Sequence, residues 1–518
     1  TIGATVAVGY AAIAGVIIDN PGEVAPLEAA RPALAIFLFA VTAVLALQAA
    51  GGFFRHVSTA LPIIFFAVLK FSGFYGAGEY FRLSESGALA AAAIGLLLVS
   101  ALSVHVASRR NAEALSGALF FFAAAICGGL SALALSSLSQ GGGAADDAAR
   151  SVIAAAPRPE IAPAGLPDII YIVPDRYGAT ESFRREFGFD NSPFLKELES
   201  RGFYVARNAR SNYAKTVVSL ASSMNMSSLD AVAAAASKKS TNRAPLRRLI
   251  ADNAVQDILR RAGYRYIHLG SWWQETRRSP HADADYYGVE TLWASLSEFE
   301  HALLRTTPLA FAATYGGFVE RNECERLKNQ LDYLENIRQR GSAPLFVFAH
   351  LTLPHDPVTM DASGRCIKHV YYPGYGTPWS EYRAAYAGYV EFLNRRLLEI
   401  FDANAAARGG KDLIFVIQAD EGPYPKRLHE NLDMEMHAFS DDEIREKFGI
   451  INALHWDAEK YGPPILTRTP VNNWRIILSK ISGDEIPLIA EERSMLMRSD
   501  EFVYDMKDVT DILDPAAD

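Results

Sequence analysis

Residues 166–178 read LPDIIYIVPDRYG, and residues 211–230 read SNYAKTVVSLASSMNMSSLD. From Ile169 to Val173 the apolar run is continuous rather than alternating, the pattern of a strand buried on both faces of a parallel sheet. Asp175 stands just past its end. Ligands collect at the carboxyl ends of strands in open α/β sheets, so an acidic group there is placed to hold a metal. The pattern recurs twice: Leu345 to Ala349 runs into His350, and Leu413 to Ile417 runs into Asp420 and Glu421. Apolar strands that each deliver ionisable groups at their C-terminal ends imply a single site on one sheet edge.

Outward from this core, apolar segments alternate with helical periodicity: strands at 168–174, 203–207, 264–269, 345–350, 413–420 and 449–454. Helices are expected near 192–201, 216–230, 246–262, 294–305, 320–340, 379–406 and 472–482. Strands separated by helices mean a mostly parallel sheet covered on both faces. This α/β domain is expected over 167–518. Before it, residues 138–166 are rich in Gly, Ala and Pro and lack apolar periodicity, so they read as a linker.

Residues 1–137 form a different class of sequence. The segments 1–18, 33–52, 60–77, 87–106 and 115–137 are each long enough, or nearly so, to cross a hydrocarbon core of roughly 30 Å as a helix. About five spans are expected. Arg55 with His56, and Arg109 with Arg110, fall after the second and fourth of them, whereas Asp19, Glu23, Glu28, Glu79 and Glu85 fall in the alternate loops. The positive-inside rule then puts the N-terminus in the cytoplasm and the α/β domain outside the membrane.

The net charge of −9 offers no basic footprint for nucleic acid. None of the three cysteines, Cys127, Cys324 and Cys366, has metal-ligand spacing. Cys324 and Cys366 lie in the exported part, where they either pair or remain free thiols.

Thr216 is the candidate nucleophile. It opens a helical pattern, so it sits where free backbone N–H groups stabilise an anion. A bound divalent cation would lower the pKa of its hydroxyl. The plainer reading is a helix cap, and Ser219 and Ser222 are competing hydroxyls. Asp420 and Glu421 are adjacent carboxylates before a Gly422–Pro423 turn, and such neighbours repel unless a cation or proton neutralises them. Asp175, Thr216, Asp420 and Glu421 make an all-oxygen ligand set that favours Mn²⁺ or Mg²⁺, with Zn²⁺ the other candidate. His350 and His355 flank a Pro-containing turn, placed to protonate a leaving oxygen or to hold phosphate oxygens. Arg176, Lys215, Trp272 and Trp273 are candidate pocket residues. His429 and His437 receive no role.

The motifs PDIIYIVPDRYG, NYAKTVVSLASSMN, FVFAHLTLPHDP and VIQADEGP occur in this order, followed by KFGIINAL and TPVNNWRIIL. In this order they resemble the alkaline phosphatase/sulfatase superfamily. With the N-terminal spans, the chain looks most like the membrane-anchored branch of lipoteichoic acid synthase and the phosphoethanolamine transferases. That resemblance implies a bacterial inner (cytoplasmic) membrane protein with a periplasmic or extracellular catalytic domain. It also implies a metal-bound threonine that takes a phosphoryl group from a phospholipid donor and passes it to an envelope glycan or lipid acceptor. By motif, Asp175, Thr216, Asp420 and Glu421 become metal ligands, with Thr216 also the nucleophile. Family members commonly carry Asp-His where this chain has Asp420-Glu421. Two alternatives accompany the transferase: a phosphodiesterase or sulfatase-like hydrolase, and a non-catalytic homologue with a degenerate metal site. No cysteine stands in the Cys-x-Pro-x-Arg setting that formylglycine sulfatases need, which argues against ordinary sulfate ester hydrolysis.

Overall fold

The computed structural model describes all residues except 20–25, 73–84, 109–142, 164, 306, 310–312, 314–317, 341–343, 372–376, 408–411, 464–466, 491, 500–501 and 515–518. The chain divides into two units: Thr1–Gly141 with Ser295–Val319, and Gly142–Ala294 with Glu320–Asp518.

The first unit contains helices Ile2–Asp19, Pro26–Ala50, Phe53–Leu69 and Glu85–Ala107. Two stretches, Ala30–Ala50 and Ala90–Ala107, are long and apolar enough to span a membrane; Ile2–Ala14 and Phe53–Leu69 are apolar but shorter. Four of the expected spans therefore fall on helices, two of them of spanning length, and the expected 115–137 span lies outside the described residues. Leu34, Phe37, Leu38, Leu97 and Leu98 are exposed on these helices. Large apolar side chains repeated along a helix surface call for an apolar environment around it. Arg55 and His56, expected in a loop, stand instead in the first turn of Phe53–Leu69. Helix Glu298–Arg305 belongs to this unit: Phe299 packs on Ile13, Ala14 and Ile17, and Glu300 pairs with Arg31.

In the second unit the strands are β1 (Asp168–Pro174), β2 (Tyr204–Val205), β3 (Arg265–Leu269), β4 (Ala284–Tyr286), β5 (Leu345–Leu351), β6 (Val358–Met360), β7 (Cys366–Tyr371), β8 (Leu413–Gln418), β9 (Asn452–His455), β10 (Met495–Met497) and β11 (Met506–Asp508). Among the described residues, one seven-stranded sheet has the order β2-β9-β8-β1-β5-β3-β4. The central pairings β8–β1, β1–β5, β5–β3 and β3–β4 are parallel, and β9 pairs antiparallel with β8 and β2.

Every residue of β1, β5 and β8 is buried, which explains their unbroken apolar runs. Alternate side chains enter opposite layers. Ile169, Tyr171 and Val173 join a layer with helices Thr216–Ser223, Ala254–Arg261 and Asn473–Ser482, where Trp474 packs on Tyr171 at 4.9 Å between ring centroids. Ile170 and Ile172 join the other layer, with helices Ser192–Ser200, Phe318–Glu335 and Trp379–Ala406.

Several expected boundaries shift. The 216–230 helix ends at Ser223, and a second short helix starts at Asp230. The 246–262 helix is two helices, with Asn253 capping the second by accepting from the Gln256 N–H. The segment read as linker carries helix Ala144–Ala155. Its alanines favour helix, and Ala149 and Val152, three apart, are buried in the first layer. Cys324 and Cys366 form a disulfide.

Candidate active site

The carboxyl ends of β1, β5 and β8 converge because the strands run parallel in adjacent positions. Val173 lies in register with His350, and the Asp175 N–H donates to Leu351 O at 2.9 Å. Asp420 follows β8, and the Arg176 N–H donates to Asp420 Oδ1 at 3.3 Å. Arg176 has φ of 62°, the left-handed region, which a non-glycine residue adopts at a cost and which recurs at functional turns.

Asp175, His350 and Asp420 are buried, and each offers a ligand atom within 4.8 Å of the others. Asp175 Oδ1, His350 Nε2 and Asp420 Oδ2 are buried atoms with no hydrogen-bond partner among the described residues. Unpartnered buried polar atoms are costly, and three neighbouring side chains that each carry one make a candidate donor set for a cation. Two carboxylate oxygens and one imidazole suit Zn²⁺ or Mn²⁺. Burial, with the charges of Asp175 and Glu421, raises the pKa of Asp420 well above the carboxylate range, so its ionised form calls for a nearby positive charge.

His350 is oriented from behind. Its Nδ1 lies 2.7 Å from Thr276 Oγ1, which lies 2.8 Å from Ser271 Oγ. If Nδ1 donates to Thr276, Thr276 to Ser271, and Ser271 to Trp273 O, every proton in the chain has an acceptor and Nε2 keeps its lone pair. The 270–277 loop closes tightly enough to build this chain because residue 270 is glycine; a Cβ there would stand 2.1 Å from Arg277 O.

Thr216 is the first residue of its helix and is half-buried, and it stands close enough to Asp420 to pull the pKa of that carboxyl partly back down. The competing hydroxyls are engaged elsewhere: Ser219 Oγ donates to Asp420 O at 2.7 Å and Ser222 Oγ to Ser227 O at 2.7 Å. His355 Nδ1 contacts Asp356 O, so Nδ1 carries the proton and Nε2 the lone pair. Burial, then the Arg176 charge, pushes His355 down to about 4, which keeps it neutral at neutral pH. Trp272 and Trp273 set their ring edges against His355 and His350, at 5.7 and 5.8 Å between centroids.

Glu421, expected beside Asp420 as a ligand, has other company. Its Oε1 accepts from Lys447 Nζ at 2.9 Å and Arg176 Nε at 3.2 Å, and it is not in the Asp175–His350–Asp420 group. Arg176 also meets Asp356 Oδ2 at 3.2 Å and lies over the Tyr424 ring at 3.6 Å. Lys447 is fully buried; burial pulls its pKa down and Glu421 pulls it back up. The sequence reading assigned neither Lys447 nor Thr276. A lysine inside the apolar KFGIINAL segment was the available sign for the first, since a buried lysine needs a partner; Thr276 carried none. His429 packs against Tyr382 and Trp379, and His437 Nδ1 lies 3.0 Å from Arg498 O, so neither joins the pocket.

No family model matches the chain, and no curated protein matches it in sequence. Solved structures do. The C-terminal periplasmic domain of EcEptC from Escherichia coli aligns at 12% identity over 69% of this chain and 97% of that one, with a TM-score of 0.44. The integral membrane protein lipooligosaccharide phosphoethanolamine transferase A from Neisseria meningitidis aligns at 12% identity over 93% and 95% of the two chains, with a TM-score of 0.40. A protein from Vibrio parahaemolyticus aligns at 12% identity over 68% and 80%, with a TM-score of 0.36. Structures of the alkaline phosphatase superfamily, phosphoethanolamine transferases and sulfatases among them, are thus what this chain is similar to.

Proposed function

We propose that the chain is a membrane-bound, metal-dependent phosphotransferase that moves a phospholipid head group, of phosphoethanolamine or phosphoglycerol type, to a glycan or lipid acceptor through a phosphothreonine at Thr216. The observation that carries this reading is the convergence of the buried Asp175, His350 and Asp420, each with an unpartnered side-chain atom, near a threonine at a helix start. Asp175, His350 and Asp420 would hold the cation, with the Thr216 oxygen next to it. Bound there, a divalent ion lowers the pKa of the hydroxyl and offsets charge on the phosphoryl oxygens.

The chain's own groups do the rest. Asp420 stands beside Thr216, and the free N–H groups of the helix start would stabilise the developing anion. In the first half-reaction Thr216 loses its proton to water and its oxygen bonds phosphorus. The bond from phosphorus to the lipid alcohol breaks, and the alcohol leaves with a proton from water. In the second, the acceptor hydroxyl attacks phosphorus while His355 Nε2 takes its proton, and the threonine oxygen departs and is reprotonated. A neutral His355 with its lone pair on Nε2 suits this base role better than that of a leaving-group acid. His350, held through Thr276 and facing Asp175, suits ligation.

The same His355 nitrogen could take a proton from water, which makes the phosphodiesterase the second reading. The apolar helices support a bacterial inner membrane location with the α/β domain on the periplasmic or extracellular side.

Mass spectrometry of the full chain with Mn²⁺ or Zn²⁺ and mixed bacterial phospholipids tests the proposal. A phospho-alcohol adduct on Thr216, absent in Thr216→Ala, is expected. Head group on an added acceptor identifies the transferase, and free phosphoalcohol the hydrolase. Protein that holds no divalent cation and forms no adduct is the non-catalytic homologue.

A further inference from the structure

Four buried carboxylates, Asp175, Asp356, Asp420 and Glu421, surround the pocket together with two buried cations, Arg176 and Lys447. The fixed cations are unevenly shared. Lys447 Nζ donates to Glu421 Oε1 at 2.9 Å and to Gly422 O at 3.1 Å, and lies 4.8 Å from the Tyr424 ring centroid. Arg176 Nε meets the same Glu421 oxygen at 3.2 Å. Asp175, His350, Asp420 and Asp356 each carry an unpartnered buried atom, and of these only Asp175, His350 and Asp420 bring ligand atoms within 4.8 Å of one another.

We propose that Glu421 lies outside the coordination sphere, held there by Lys447 as a resident cation, and that the pocket takes a single divalent ion on Asp175, His350 and Asp420. This rests on the metal-dependent reading above and refines it. The backbone is built for the pair: Gly422 N–H donates to Lys447 O at 2.8 Å, and a Cβ on residue 422 would stand 2.3 Å from Glu446 O. Glycine after Glu421 thus lets the turn press against the end of helix Asp441–Phe448 and brings Lys447 to the carboxylate. Lys447 is a positioning residue. It fixes Glu421, and Glu421 with Asp356 fixes the Arg176 guanidinium at the pocket wall.

The test is cobalt binding by the full chain in detergent after chelation, read as stoichiometry and as the visible d–d spectrum. Wild type and the neutral pair Glu421→Gln/Lys447→Met are expected to bind one Co²⁺ per chain with superimposable spectra and affinities within about threefold. Asp420→Asn, which removes a ligand, is expected to lose affinity by on the order of 100-fold. Glu421→Gln alone keeps an oxygen for both cations and gives the same comparison if the double variant does not fold. Loss of cobalt or shifted d–d bands in the Glu421 variants overturns the inference, as does a stoichiometry of two. Wild type that binds no cobalt overturns the metal-dependent reading itself, and this inference with it.

Discussion

Asp420 and Glu421 are neighbours in sequence, both buried, and their surroundings are opposite. Glu421 is answered by Lys447 and Arg176 from within the fold. Asp420 shares a pocket with a second carboxylate and an imidazole, and one of its oxygens has no partner. The first arrangement is complete as folded, so removing Lys447 or Arg176 leaves the buried carboxylate with a single cation. The second, on the metal-dependent reading proposed above, is completed by a cation. What distinguishes a structural carboxylate from a ligand is the set of atoms it meets; burial is common to both.

The comparison breaks most sharply at Thr216. Thr216→Ala is expected to lower head-group transfer by at least about 1000-fold with the melting temperature nearly unchanged, because it removes the nucleophile and little packing. Transfer assays paired with thermal melts check this. Metal removal comes next. At a metal concentration near 1000 times Kd, binding stabilises the fold by about 4 kcal/mol, so chelation should lower the melting temperature of wild type and leave Asp420→Asn nearly unmoved. An equal response from Asp420→Asn would place the cation elsewhere.

On the paired side, Lys447→Met is expected to destabilise the fold by about 3 kcal/mol, since it removes one of two cations from a buried carboxylate. Denaturant titration measures that loss, and the paired variant Glu421→Gln/Lys447→Met should recover part of it. The smallest effect is expected at Thr276. Thr276→Val keeps the shape, removes the hydroxyl that holds His350 Nδ1, and should weaken metal binding about 10-fold. Calorimetric titration of the metal reads it. No change there would mean that packing alone orients His350.

Much of the second unit was legible beforehand. The β1, β5 and β8 runs were found within a residue or two, because a strand buried on both faces must be apolar throughout. Asp175, His350 and Asp420 were placed correctly at one sheet edge, since parallel neighbours end together. The linker reading failed over Ala144–Ala155 because alanine and a few apolar residues make a weak periodic signal that packing then reinforces. The Glu421 assignment rested on adjacency to Asp420, and the sequence carried no sign that Lys447 and Arg176 meet its carboxylate.

The amino-acid sequence by itself determined the apolar runs, the helix start at Thr216 and the carboxylates at strand ends, because these follow from local burial and backbone geometry. Only the tertiary structure decided which groups meet. Lys447 reaches Glu421, and Thr276 reaches His350, across stretches of chain whose intervening residues carry no record of the encounter. A charge's role depends on partners within a few ångströms, and that distance is set by how the whole sheet and its helices pack.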